Sequence, residues 1–378
     1  MKNRFIKYHL FLSTLFMVAL LSGCIDPFKP VLDKSDSEKI LVVEGFITDE
    51  PGSFEVKLSR SVPIDTMVNY VNESGAYVTI SDDHNNTFVL TEVEPGVYKS
   101  LDETLKAVAG RIYQLSIIDA FDKEYESSPV LMPSKPEIKE VYWEEESETV
   151  FVDNEVIDEI GLNIYVDGDD LENNAAYYKW DISETWEVMM PNAITALDGK
   201  GMPYETFVKV PDEKKYCWVT QNTQKILVKS VENQSDSEVK KFMLQRIRPG
   251  EDKLFIRYSI EVKQYTLNKE MYDFWKGIRE INQDAGSLYD KVPVSIFGNI
   301  TCCNTNEKAL GYFYAAEVDK KRIFIEKGEH EIVNVNRYES CLYVSDETLH
   351  YFTSGFWARS AFCSDCREYG TNIKPDFW

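Results

Sequence analysis

Histidine, cysteine and clustered carboxylates are the side chains through which most enzymes and metal sites act, and their spacing here is uninviting. The four histidines are His9, His84, His330 and His350, and none lies near another in sequence. No metalloprotease helix motif, nucleophile elbow, phosphate loop or dinucleotide fingerprint occurs. Carboxylates number 64, which leaves a paired-acid glycosidase open on composition, yet nothing marks two of them out. Asp167-Gly168-Asp169-Asp170 with Glu172 offers oxygen ligands for calcium. Its spacing departs from the helix–loop–helix calcium pattern, and a hairpin turn on Asp-Gly explains it equally well. These residues call for no metal, no cofactor and no catalytic centre.

The cysteines carry a more specific message. Cys217, Cys302, Cys303, Cys341, Cys363 and Cys366 follow the N-terminal Cys24. An even number in an exported chain implies disulfides. Cys363-Ser364-Asp365-Cys366 with Cys302 and Cys303 is also a conceivable zinc set, but zinc normally spaces each ligand pair by two or more residues, and adjacent cysteines fit that poorly. Thioredoxin-like redox work lacks its βαβ surroundings. Disulfides stapling the C-terminal region to the body are therefore expected, with at least one bond from Cys363 or Cys366 to the Cys302-Cys303 pair.

Cys24 ends a different pattern. Lys2, Arg4 and Lys7 form a basic start, and Leu10 to Leu21 form an uncharged apolar run too short to span a bilayer comfortably. Leu21-Ser22-Gly23-Cys24 resembles the lipobox of bacterial lipoproteins, in which the cysteine thiol takes a diacylglyceryl group and becomes the new N-terminus. Residues 1–23 thus read as a signal peptide and Cys24 as the lipidation site. Residues 24–38, polar and broken by Pro27 and Pro30, read as a flexible tether. The expected location is the outer membrane, with the periplasmic face and the cell surface both open.

These residues must be held by strands. Phe54, Val56 and Leu58 alternate with Glu55, Lys57 and Ser59, and Tyr258, Ile260 and Val262 with Ser259, Glu261 and Lys263. That period of two marks half-buried antiparallel strands. The fold class expected is mainly β: two immunoglobulin- or fibronectin-III-like β-sandwich modules, at 39–133 and 137–340, joined across Pro133 and Pro136. Trp180, sharing a face with Tyr178 and Ile182, reads as the buried tryptophan of a third strand. The second module carries an inserted helix, 268–283, with Asn268 at its N-cap, Leu267 and Tyr272 as a staple, and an apolar stripe of Met271, Phe274, Trp275, Ile278 and Ile281. A cysteine-linked tail, 341–378, ends the chain. Pro191–Tyr216 reads as a long loop and a candidate contact surface. The formal charge of −23 repels phosphate backbones, so nucleic acid is not an expected partner.

A likeness follows from several stretches together: Leu41-Val42-Val43-Glu44-Gly45-Phe46-Ile47-Thr48-Asp49, Arg257-Tyr258-Ser259-Ile260, Phe274-Trp275, Gly298-Asn299-Ile300, Leu310-Gly311-Tyr312-Phe313 and the ending Lys374-Pro375-Asp376-Phe377-Trp378. The chain resembles the Bacteroidota envelope lipoproteins grouped as domain-of-unknown-function family 4249. The resemblance implies an accessory role beside a TonB-dependent outer-membrane transporter, in nutrient capture or import, and carries over no catalytic residue. The expected function is thus non-enzymatic. The rivals are a surface adhesin or glycan-binding module, since aromatics make up 13% of the chain, and a cell-surface hydrolase.

Overall fold

A strand wet on one face needs apolar side chains at every second position, and much of this chain obeys that rule. The structure, a computed structural model, describes residues 39–62, 70–134, 137–152, 155–169, 177–190, 212–232, 238–284, 296–332, 349–351, 357–359 and 365–378. The protein is mainly β, with sandwich-like sheets and few helices. The signal, the tether, Cys24, Cys341 and Cys363 lie outside the described residues, as does the expected contact loop up to residue 211.

The first body is built from β1 (Leu41–Thr48), β2 (Glu55–Ser61), β3 (Tyr70–Asn72), β4 (Tyr77–Asp82), β5 (Thr87–Glu94), β6 (Val97–Lys99), β7 (Ile112–Ile118), β8 (Glu124–Ser127) and β9 (Val130–Leu131). On β1 the alternation buries Leu41, Val43 and Ile47 and turns Glu44 and Phe46 outward. β2 buries Val56 and Leu58, then Arg60. That cation is matched inside the core: its Nε donates to Glu73 at 2.8 Å, and a second guanidinium nitrogen bonds Asp119. Pairing of this kind is what makes a buried charge tolerable.

The second body stacks two sheets. One holds β10 (Glu137–Val152), β11 (Glu155–Asp169) and β15 (Val239–Ile247); the other holds β12 (Tyr177–Met189), β13 (Tyr216–Asn222), β14 (Leu227–Ser230), β16 (Arg257–Leu267) and β19 (Val318–Glu326). Trp180 is fully buried beside Tyr178 and Ile182, as its face predicts, and stacks on Phe242 with ring centres 4.4 Å apart. Its indole N–H donates to Gln264 at 2.7 Å, and the Gln264 amide donates to the Glu137 carbonyl at 3.2 Å, so both buried groups have a partner. A four-residue turn, α1 (Asp212–Lys215), leads into β13. The main helix, α2 (Lys269–Asp284), starts where expected: the Asn268 side chain accepts from the Met271 amide at 2.8 Å.

Two strands from the expected second module do not stay in it. β17 (Ile300–Cys302) pairs antiparallel with β8, and β18 (Ala309–Ala316) pairs parallel with β1, making an 11-stranded sheet. One residue later, after Glu317, the chain returns as β19 to pair with β16. Glycines permit this approach. Gly311 sits at φ +95°, and a Cβ there would lie 1.9 Å from the Val43 carbonyl oxygen. A Cβ on Gly298 would lie 1.4 Å from the Gly311 oxygen. Only glycine lets three backbones cross so closely. Asn299 seals the crossing: its side-chain amide accepts from Phe313 N and donates to Phe313 O, each at 2.9 Å.

The disulfide differs from expectation. Cys366 bonds Cys217, with Cα atoms 5.6 Å apart. Neither Cys302 nor Cys303 takes part, and both thiols are free. The physical reason is the strand exchange: Cys302 is carried on β17 into the first body, whereas the tail runs along β13 in the second. Backbone bonds between Trp218 and Thr371 at 2.8 and 3.0 Å hold it there. The chain's end is pinned by Arg322 over the Phe377 ring and Arg257 over the Trp378 ring.

Candidate functional site

The outer face of the first body and helix α2 enclose a cleft of about 840 Å³. Its floor is the β1–β18 pair, with Val42, Glu44 and Phe46 beside Leu310, Tyr312 and Tyr314. Its wall is Met271, Phe274, Trp275 and Ile278 of α2, and its far end is Asp181 of β12 with Lys263 and Tyr265 of β16. Register produces the aromatic floor. Phe46 and Tyr314 are strand partners, so their rings stack with centres 3.9 Å apart. The Tyr265 ring meets Phe46 edge-on at 5.1 Å, and Phe274 reaches Tyr312 at 5.2 Å.

The charges around the cleft are largely spoken for. Lys179, only 6% exposed, lies 5.1 Å from the Tyr265 ring centre and 5.2 Å from that of Trp275, and pairs with Asp181. Glu50 takes Lys263 at 3.2 Å and also Lys320. Burial works to raise the Glu55 carboxyl, but hydrogen bonds from Lys99 and Lys57 outweigh it and hold the group below its ordinary value. Burial, with Asp181 adding, pushes the Tyr265 and Tyr314 hydroxyls far above the usual phenol range. The Tyr312 hydroxyl is pushed up to about 12 by burial and by Glu270. All three phenols stay protonated. The described lining contains neither histidine nor cysteine.

Among the lining residues the Trp275 indole N–H is buried without a hydrogen-bond partner, while Asn268 and Glu270 lie at the Tyr312 hydroxyl. A buried donor left unsatisfied costs about 1–3 kcal/mol, so an acceptor that reached Trp275 would be held there. Aromatic walls, a few placed polar groups and this volume are the attributes of a small-molecule pocket. The arrangement can hold an amphipathic molecule; among the described residues no nucleophile stands beside a base there.

The residues singled out from sequence are scattered. Cys217 and Cys366 form the disulfide at the tail, far from the cleft in the fold, and Cys302 and Cys303 are on and just after β17. Asp167 sits inside β11, where it accepts from the Lys241 amide at 2.7 Å and from the Tyr142 hydroxyl at 3.3 Å, so no Asp-Gly hairpin turn forms there; Asp170 and Glu172 lie outside the described residues. The α2 stripe does more than pack against a sheet: Met271 is buried, while Phe274, Trp275 and Ile278 are half-buried and face the cleft. Phe46 and Tyr312 stand in the sequence only as parts of the family stretches, and neither they nor Tyr314 are marked there as site residues. Their only signal is that aromatic side chains stand on what alternation marks as the wet face of β1 and β18.

A family description, domain of unknown function DUF4249, matches residues 25–322. The chain belongs to the DUF4249 family. The DUF4249 span takes in every residue lining the cleft, from Val42 to Tyr314, whereas Cys366 and the tail lie beyond it. No curated protein matches this DUF4249 chain.

Proposed function

We propose that this protein is a lipid-anchored accessory of the outer membrane, which holds a small amphipathic ligand in its aromatic cleft and works beside a TonB-dependent transporter without catalysing a reaction. The observation that carries the reading is the cleft itself, with apolar rings, the unpartnered Trp275 indole and charges largely paired. The Cys24 anchor supplies the place. Two or three acyl chains hold firmly, at about 0.8 kcal/mol per buried methylene, and confinement to one membrane raises the effective concentration of both partners. A glycan-binding surface is less well supported: no tryptophan whose side chain is described is exposed.

Two tests follow. Cys24→Ser is expected to accumulate as a full-length, unlipidated precursor in intact-mass measurement; wild type cleaved before residue 24 without acyl mass would overturn the anchor. For the cleft, Val42→Trp places a large ring in the floor. It is expected to weaken binding of the fluorescent probe anilinonaphthalene sulfonate by about tenfold or more, since the pocket volume is lost, while thermal melting stays near wild type. Wild type is expected to retain a TonB-dependent transporter on purification from its native membrane. Hydrolysis of a glycan or peptide by purified protein, with no transporter retained, would overturn the accessory role.

A further inference from the structure

The β10–β11 hairpin is longer than the sheet that holds it. β15 covers β11 only from Leu162 to Gly168, whereas the β10–β11 register continues from Glu146↔Gly161 out to Val152↔Glu155. Residues 146–152 and 155–161 therefore project as a two-stranded arm with no third strand among the described residues. A free hairpin is marginal in water, yet this one is braced. The Arg246 guanidinium lies across its root, donating to the Glu159 carbonyl and the Asn163 side chain at 3.0 Å each and pairing with Glu148 at 3.1 Å. Gly161 makes the room: a Cβ there would come within 2.7 Å of Arg246 Cζ. Glu148 and Glu159 stand directly opposite and would repel, and the same arginine offsets that. Farther out, Thr149 donates to Asp158 at 2.7 Å.

What the brace presents is apolar. Alternation puts Phe151, Val156 and Ile160 on one face of the arm, and they are 70%, 68% and 55% exposed. Asp158 stands on the same face, Glu148 and Glu155 stand on the other, and the stretch 146–161 carries six carboxylates and no lysine or arginine. Apolar side chains on a strand pair with open edges invite association, and charge decides with what. A second copy would bring the same carboxylates, and anionic headgroups would be repelled, as would any acidic surface by a chain of net charge −23. We propose that the arm is a docking element, whose Phe151 face seats in an apolar groove of a protein partner bordered by lysine and arginine. This deepens the accessory role by naming its contact surface, and rests on it for the presence of a membrane partner.

The test replaces Phe151 with photo-reactive benzoyl-phenylalanine in the full lipidated chain, in its native cells. The same replacement at Phe121, which is 72% exposed on the first body, is the control. A single protein adduct is expected from position 151, mapping to an apolar segment flanked by basic residues and absent from position 121. The double variant Phe151→Ser, Val156→Ser is then expected to bind that purified partner about tenfold or more weakly, with unchanged melting, and wild-type binding is expected to weaken as salt rises. An adduct with lipid, with a second copy, or shared by both positions would overturn the proposal; so would no adduct, or a double variant that binds as wild type. If the mapped partner is not a transporter, the arm stands and the transporter role falls. If a transporter co-purifies but position 151 never reaches it, the arm falls and the role stands.

Discussion

Replacing both Cys217 and Cys366 with serine is expected to lower the stability of the second body by about 4–5 kcal/mol. The bond closes 149 residues of sequence. In the chain-entropy account the gain grows with the logarithm of that length, so this bridge sits near the top of the range. Both cysteines are fully buried, so a reductant reaches the sulfur only after the tail lifts. The bridge of the native protein should thus resist a reductant that cleaves it at once in urea. Urea unfolding followed by tryptophan emission measures the difference; a loss under about 1 kcal/mol would mean that backbone contacts such as Trp218–Thr371 already hold the tail without the bond.

The other large effect belongs to Glu184. Its carboxylate, 2% exposed, receives Lys253 at 3.0 and 3.1 Å, the Tyr258 hydroxyl at 2.7 Å and Gln245 at 3.3 Å. Burial, with Glu184 adding, pushes the Tyr258 hydroxyl well above its ordinary value, so it remains a donor. Glu184→Ala leaves an ammonium in the interior beside the Trp186 ring and removes the acceptor of a buried phenol. The expected loss is about 3–5 kcal/mol, the usual result of breaking one side of a buried pair. Glu184→Leu with Lys253→Met removes both charges and is expected to recover much of it, because desolvation of the pair roughly offsets its attraction. Denaturant midpoints of the single and double variants decide the matter. A double variant no better than Glu184→Ala would show that Tyr258 and Gln245, not the ion pair, set the cost.

Much of this was readable from sequence, and the limits are physical. Alternation marks β2 and β16 because each has a dry face, and the capping residue Asn268 places the start of α2 to within a residue. Trp180 declared itself by its neighbours on the same face. The arm was missed because Glu144-Glu145-Glu146 has poor strand propensity; it is extended only because β11 and Arg246 hold it so. β13 was missed because it follows a long polar stretch. The exchange of β17 and β18 into the first body rests on pairings more than 170 residues apart in sequence, which no local pattern encodes. The disulfide partner was misjudged for the same reason. The cleft was invisible because its walls are drawn from β1, β12, β16, α2 and β18 at once.

The parallel pairing of β1 with β18 has a mechanical consequence. Eight residue pairs, from Leu41↔Ala309 to Thr48↔Ala316, join the two strands side by side. Tension arriving at the N-terminal end of β1, toward Cys24, is resisted at the C-terminal end of β18, where Glu317 hands the chain to the second body. The strands are then drawn in opposite directions along their own axes. Their hydrogen bonds, evenly spaced in a parallel ladder, share the load and must fail together instead of opening one by one like a zip. A body pulled from its N-terminal side while its far side is gripped would thus be loaded along this seam.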